Sequence, residues 1–166
     1  MKFKLLSILA IVIFISCKND KPKINRNSKF VKSWFDTVRT TPFASELIIN
    51  ANNTFDYRGG ACTSSFESKG VWKIEKDILI LNSFKTKKCI WKNNFGLVCS
   101  KEDFDKISEE NRSLNNCKLD SEKSYVVFNN EKFKLRNDTL IHIAVNKNCP
   151  KLKIAFSSKK KSREKL

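Results

Sequence analysis

The side chains in this sequence that can do covalent chemistry are six cysteines, Cys17, Cys62, Cys89, Cys99, Cys117 and Cys149, and a single histidine, His142. Cys17 stands apart by its surroundings. Phe14-Ile15-Ser16 before it ends an apolar run, and Lys18-Asn19-Asp20-Lys21-Pro22-Lys23 after it is too polar to pack. The other five are scattered with no Cys-x-x-Cys among them, so zinc would have to gather its ligands from distant segments around one histidine. No metal and no cofactor is expected. Five is also an odd number: at most two bridges form within one molecule, in any of fifteen pairings, and one thiol is left over. A thiol-dependent enzyme would need folding to bring that thiol beside His142. No Gly-x-Ser-x-Gly, Walker loop or His-Glu-x-x-His occurs, and four glycines leave little for a phosphate cradle. The expectation is a protein that is not an enzyme.

Upstream of Cys17, Lys2 and Lys4 form a short positive segment, and Leu5 to Ile15 is apolar except for Ser7. That is a secretory signal layout. The run is about half the roughly 20 residues that a membrane-crossing helix needs, so it reads as a removable export signal. Together with Ser16 and Cys17 it resembles a bacterial lipoprotein signal peptide. The resemblance implies that residues 1–16 are removed and that Cys17 becomes a lipidated N-terminus bearing a diacylglycerol and an N-acyl group. Two or more acyl chains give stable anchoring where one gives only marginal binding. In the Gram-negative sorting rule an Asp after that cysteine retains the protein at the inner membrane. Lys18 therefore points to the outer membrane of the cell envelope.

The mature chain would keep 150 residues, one domain by size, long enough for a real core. It divides into a polar tether over 17–28, a β-rich body over 29–156 and a basic tail over 157–166 whose composition predicts disorder. The net charge is +16, or +14 once Lys2 and Lys4 are gone. Such an excess attracts phosphate-rich and carboxylate-rich surfaces. An exported protein rarely meets nucleic acid, so the partners expected are anionic lipid headgroups or acidic glycans, besides the membrane that holds the anchor.

The elements that must position these groups are mostly strands. Phe30, Val31, Trp34, Phe35 and Val38 fall at helical spacing behind Ser28, which predicts one short helix ending before Pro42. From there the period becomes two. Phe43 to Ile49 and Thr54 to Arg58 read as strands around an Asn50-Ala51-Asn52-Asn53 turn, the second ending at Gly59-Gly60. Val71 to Leu81 predicts a hairpin about Lys76-Asp77, with Ile74 opposite Leu79 and Trp72 opposite Leu81. Phe133 to His142 repeats it about Asn137-Asp138, placing Phe133, Leu135, Leu140 and His142 on one face. Cys89 to Cys99 is expected to be a further hairpin and Ser100 to Asp103 the cap of a second short helix. Tyr125 to Phe128 and Leu152 to Phe156 are further strands.

This pattern predicts a mainly β fold, an antiparallel meander closed into a small barrel, or a sandwich, with one or two short helices. The pieces Gly70-Val71-Trp72-Lys73-Ile74-Glu75-Lys76-Asp77-Ile78-Leu79-Ile80-Leu81 and Lys132-Phe133-Lys134-Leu135-Arg136-Asn137-Asp138-Thr139-Leu140-Ile141-His142-Ile143 are similar to those of small lipocalin-like envelope lipoproteins. The resemblance implies a non-catalytic domain binding a small apolar or amphipathic ligand or an envelope partner. Trp34, Trp72, Trp91, Phe133 and His142 are the candidates to line such a cavity. The alternative is a structural lipoprotein docking on anionic envelope surfaces.

Overall fold

The computed structural model describes residues 29–37, 44–61, 64–96, 113–114, 116–119, 123–143 and 153–160, and every regular element in them is a strand. The strands are β1 (Ser33–Asp36), β2 (Ala44–Ile49), β3 (Thr54–Ala61), β4 (Ser64–Glu75), β5 (Ile78–Ser83), β6 (Trp91–Asn94), β7 (Lys123–Val127), β8 (Glu131–Arg136), β9 (Thr139–His142) and β10 (Ala155–Ser157). Eight of them close into an antiparallel barrel in the order β1-β2-β3-β4-β5-β8-β9-β10, with β10 paired back onto β1.

Two hairpins set the register. Lys76 and Asp77 have φ of 47° and 64°, and Asn137 and Asp138 have 45° and 57°. Positive φ at both central residues is the turn whose twist matches that of paired strands. The expected partners follow: Ile74 opposite Leu79, Trp72 opposite Leu81, Phe133 opposite His142 and Leu135 opposite Leu140. Trp72, Leu79, Leu81, Phe133 and Leu140 are buried, whereas Ile74 is 38% exposed because it lies at the barrel's end.

That end is closed by the segment before β1. Phe30 is fully buried there, and its carbonyl accepts the Trp34 indole N–H at 2.8 Å. The Trp72 indole N–H donates to Asn50 O at 2.8 Å. Lys29 reaches Asp77 at 3.0 Å and Lys32 reaches Asp138 at 3.9 Å, so the segment is tied to both hairpin turns. The expected helix over residues 29–38 is therefore corrected: Ser33–Asp36 is a strand. Phe30 and Trp34 do share a side, but through a turn followed by extended chain. Extension lets β1 hydrogen-bond both β2 and β10, whereas a helix would leave two open sheet edges. The expected second helix lies outside the described residues.

The meander is broken in one place. β4 is twelve residues long, and its edge pairs with β5 over Gly70–Glu75 but with β7 over Ser65–Glu67, in parallel. β6 pairs with β7, also in parallel. The expected Cys89–Cys99 hairpin is thus replaced: Trp91–Asn94 pairs with a distant strand, and Leu97–Cys99 lies outside the described residues. Where β5 hands the edge to β7, side chains satisfy the backbone. The Tyr125 hydroxyl lies 2.8 Å from Lys69 O and 2.9 Å from Phe84 O, and Ser83 Oγ accepts Phe128 N–H at 2.8 Å while touching Ser68 Oγ at 2.7 Å. A Cys89–Cys117 disulfide then ties the approach to β6 to the approach to β7. Beside it Ile90 N–H donates to Ser113 Oγ and Ser113 N–H to Ile90 O. β3 runs through Gly59-Gly60 to Ala61, and the expected tail begins inside β10, since Ser157 pairs with Phe35 and Thr139.

Two outcomes follow for stability. A Cβ at Gly70 would stand 2.0 Å from Asn82 O and 2.6 Å from the Phe55 ring. Gly70→Ala should therefore cost about 2–3 kcal/mol, seen as a lower urea midpoint at unchanged slope; an unaltered midpoint would contradict the β4–β5 approach. Opening Cys89–Cys117, 28 residues apart, should cost roughly 3–4 kcal/mol in chain entropy, measured on the Cys89→Ser/Cys117→Ser double variant.

Candidate functional site

A set of aromatic rings gathers inside the barrel. Phe55 and Tyr57 come from β3, Phe133 from β8, Phe156 from β10 and Phe128 from the residue after β7, all buried. The ring at their centre belongs to none of the eight barrel strands. Phe95 follows β6, its N–H donates to Val127 O at 2.9 Å, and the left-handed Gly96 (φ 68°) turns the chain after it. From there the Phe95 ring enters the barrel and is only 8% exposed. Its centroid lies 4.3 Å from Phe128 (stacked), 5.7 Å from Phe133, 5.8 Å from Tyr57 (edge-on) and 6.5 Å from Phe156. These separations are those at which aromatic pairs attract beyond their area burial.

Polar groups stand at the borders of this nest. His142 meets Phe95 edge-on at 5.1 Å and Phe133 at 5.0 Å. Its Nε2 is 2.6 Å from Glu131 Oε2, with side-chain exposures of 8% and 14%, so both members of this hydrogen bond are largely withdrawn from water. Glu131 lies two residues before Phe133 on β8, which is why it shares the inner face. On β3 the Tyr57 hydroxyl is hydrogen-bonded by Ser45. Burial pushes that phenol up to about 12, the Asp36 charge adds to the rise, and the Ser45 bond opposes it. The arrangement offers apolar ring surface with a few hydrogen-bonding groups around it, the composition of a small-molecule site. A separate open depression of about 530 Å3 on the flank of β8 and β9 is lined by Lys134, Arg136, Ile141, Ile143 and His142.

The five residues expected to line one cavity divide. Phe133 and His142 do meet, under Phe95. Trp34 and Trp72 lie at the closed end, each indole committed to a backbone carbonyl, and Trp91 is a half-buried residue of β6 outside the barrel ring. Of the five candidate disulfide cysteines, Cys89 and Cys117 are bridged; Cys62, Cys99 and Cys149 lie outside the described residues, as does Cys17. Sequence reasoning missed Phe95, Tyr57, Phe128, Phe156 and Glu131. Alternation along Glu131-Lys132-Phe133 signals Glu131. Phe95 gives no such signal, because a lone Phe between Asn94 and Gly96 belongs to no periodic pattern.

Tyr57 supplies a test of the nest's burial. Its phenol is raised above the ordinary 10.0, so the stability it contributes is complete below pH 10 and is lost as pH climbs through about 12. With only two tyrosines in the chain, the absorbance rise at 295 nm should contain a step near pH 12 that Tyr57→Phe removes. A titration in which Tyr57→Phe deletes a step near pH 10 instead would place this hydroxyl in water. No protein-family model, curated protein or solved structure matches the chain, so the reading of this site rests on its own geometry.

Proposed function

We propose that this protein is a non-catalytic, lipid-anchored binding domain of the cell envelope, held at the outer membrane through Cys17, that takes a small apolar or amphipathic ligand at the position of the Phe95 ring. The observation that carries the reading is Phe95 itself. A ring supplied from outside the barrel strands sits among Tyr57, Phe128, Phe133, His142 and Phe156, as the ring of a bound molecule would. The resemblance to lipocalin-like lipoproteins points the same way.

Energetics permits the exchange. Removing a buried Phe from its packing costs roughly 3–5 kcal/mol. A ligand of about ten heavy atoms, at up to about 1.5 kcal/mol per atom for the best small ligands, offsets that loss with enough left for micromolar binding. The Phe95 arm joins the barrel through β7: among the described residues β6 is four residues long and pairs with β7, and the Cys89–Cys117 disulfide secures its approach. Glu131 and His142 beside the ring would orient a polar group on the ligand, and they favour an amphipathic molecule over a pure hydrocarbon.

The test is a titration of the mature chain with 1-naphthol, followed by native mass spectrometry and by tyrosine and tryptophan fluorescence. Wild type should bind one equivalent in the micromolar range, and Phe95→Ala, which vacates the seat, should bind at least tenfold tighter. A folded wild type that takes up no probe and carries no extractable ligand would sink the proposal. The thiol-enzyme alternative is separated by thiol titration under denaturing conditions. With Cys89 and Cys117 bridged, a monomer showing no free thiol has no nucleophile for it.

A further inference from the structure

The outer wall of the barrel carries two kinds of surface. Over β2, β3 and β4 its charges are matched: Arg58 meets Glu46 at 2.7 Å, Lys69 meets Asp56 at 3.4 Å and Lys73 meets Glu75 at 2.6 Å. Over β8 and β9 they are not. The alternation that turns Phe133, Leu135 and Leu140 toward the core turns Lys134, Arg136 and Ile141 outward. Lys134 stands between Ile78 on β5 and Ile141 on β9, and Arg136 stands opposite Thr139. Neither has an acid as a cross-strand partner, the arrangement by which a sheet matches its charges. Ile143 N–H donates to Lys132 O at 2.8 Å, which carries the same register two residues further.

Among the described residues neither Lys134 nor Arg136 forms an ion pair. The acids of the same hairpin are engaged elsewhere: Glu131 with His142 at 2.6 Å and Asp138 with Lys32 at 3.9 Å. Beside the two cations Ile141 is 39% and Ile143 42% exposed. Together these side chains line the open depression of about 530 Å3 on this flank, a volume in the range of small-molecule sites. From Thr139, opposite Arg136, to Ile143 the chain advances about 13 Å. The cations thus stand toward one end of the depression and exposed apolar surface runs to the other.

We infer that this depression is a binding site for one molecule of an anionic amphiphile, outside the barrel wall and separate from the Phe95 seat: Arg136 and Lys134 hold the acidic headgroup, and the apolar chain lies along Ile141 and Ile143. A guanidinium presents a planar fork that matches a phosphate or carboxylate, and the lysine adds a point charge. Two neighbouring cations with no acid between them repel each other, and a bound anion removes that repulsion. The exposed isoleucines leave water when an apolar chain covers them. A hydrated polyanion would use the cations and leave the isoleucines bare, so the amphiphile matches the whole depression where the polyanion matches half of it. The inference is independent of whether the Phe95 seat takes a ligand.

The experiment is calorimetric titration of the mature chain carrying Cys17→Ser with decyl phosphate, below the concentration at which the probe forms micelles. One equivalent should bind in the micromolar range, with 1-decanol and inorganic phosphate each at least tenfold weaker. Replacing Lys134 and Arg136 together by Gln should weaken decyl phosphate at least tenfold, and Ile141→Ser with Ile143→Ser at least fivefold. Replacing Lys85 and Lys87 by Gln should change it less than threefold. Saturating 1-naphthol should not displace it, which separates this site from the lumen. All six substituted wall and control positions are exposed, and thermal unfolding confirms that each variant is folded. The inference is overturned if no decyl phosphate binds, if the two lysine-containing variants lose it equally, if the isoleucine variant keeps it in full, if 1-decanol or inorganic phosphate binds as tightly, if 1-naphthol displaces it, or if heparin or anionic vesicles occupy Lys134 and Arg136 as tightly as the probe does.

Discussion

A barrel exists only if its first and last strands meet, and here that seam is short. β1 joins β10 through Phe35 opposite Ser157 and Asp36 opposite Phe156, and Thr37 adds its N–H at 2.9 Å and its hydroxyl at 3.1 Å to the carbonyl of Ala155. Everything described above depends on this pairing. It sets Asp36 opposite Phe156, whose ring lies in the lumen beside Phe133 and Tyr57. It also holds Trp34, whose indole fastens Phe30 under the closed end. So few backbone bonds would not hold two edges together alone. The seam persists because the rings on either side of it exclude water, and their burial is the larger favourable contribution.

The second constraint is the length of β4. A strand of twelve residues outruns β5, and the part of its edge beyond Gly70 has to be paired or left open. β7 takes it, in parallel, and carries β6 with it. The Tyr125 hydroxyl and the Ser68–Ser83 contact satisfy the backbone at the junction. This departure from a plain meander is what delivers Phe95 to the barrel interior. The proposed site is therefore a consequence of the irregular part of the sheet, built where the regular part leaves room.

The regular part was legible in the sequence because it repeats. Trp72 opposite Leu81 and Phe133 opposite His142 follow from period-two alternation around two-residue turns, and the mainly β barrel follows from counting such pieces. Less legible was whatever depends on partners far away in the chain. Phe30 and Trp34 lie four apart, which fits a helix and equally fits a turn followed by a strand; only the need of β2 and β10 for a neighbour decides between them. The parallel pairing of β7 has no local signature. The Cys89–Cys117 bridge was one of many allowed pairings until the β6–β7 approach chose it. Three of the five cavity candidates failed for a related reason: aromatic character locates the core but does not say where in the barrel, or outside it, a ring sits.

The central claim is that the Phe95 ring fills a seat from which a ligand can move it. The direct measurement is aromatic NMR of the mature chain with selectively labelled phenylalanine and tyrosine, before and after saturation with 1-naphthol. The account predicts cross-peaks from Phe95 to Phe128, Phe133 and Tyr57 in the free protein, replaced by cross-peaks from the probe to those same rings while the Trp34 and Trp72 signals at the closed end stay unchanged. Phe95 cross-peaks that survive in the saturated complex would contradict it.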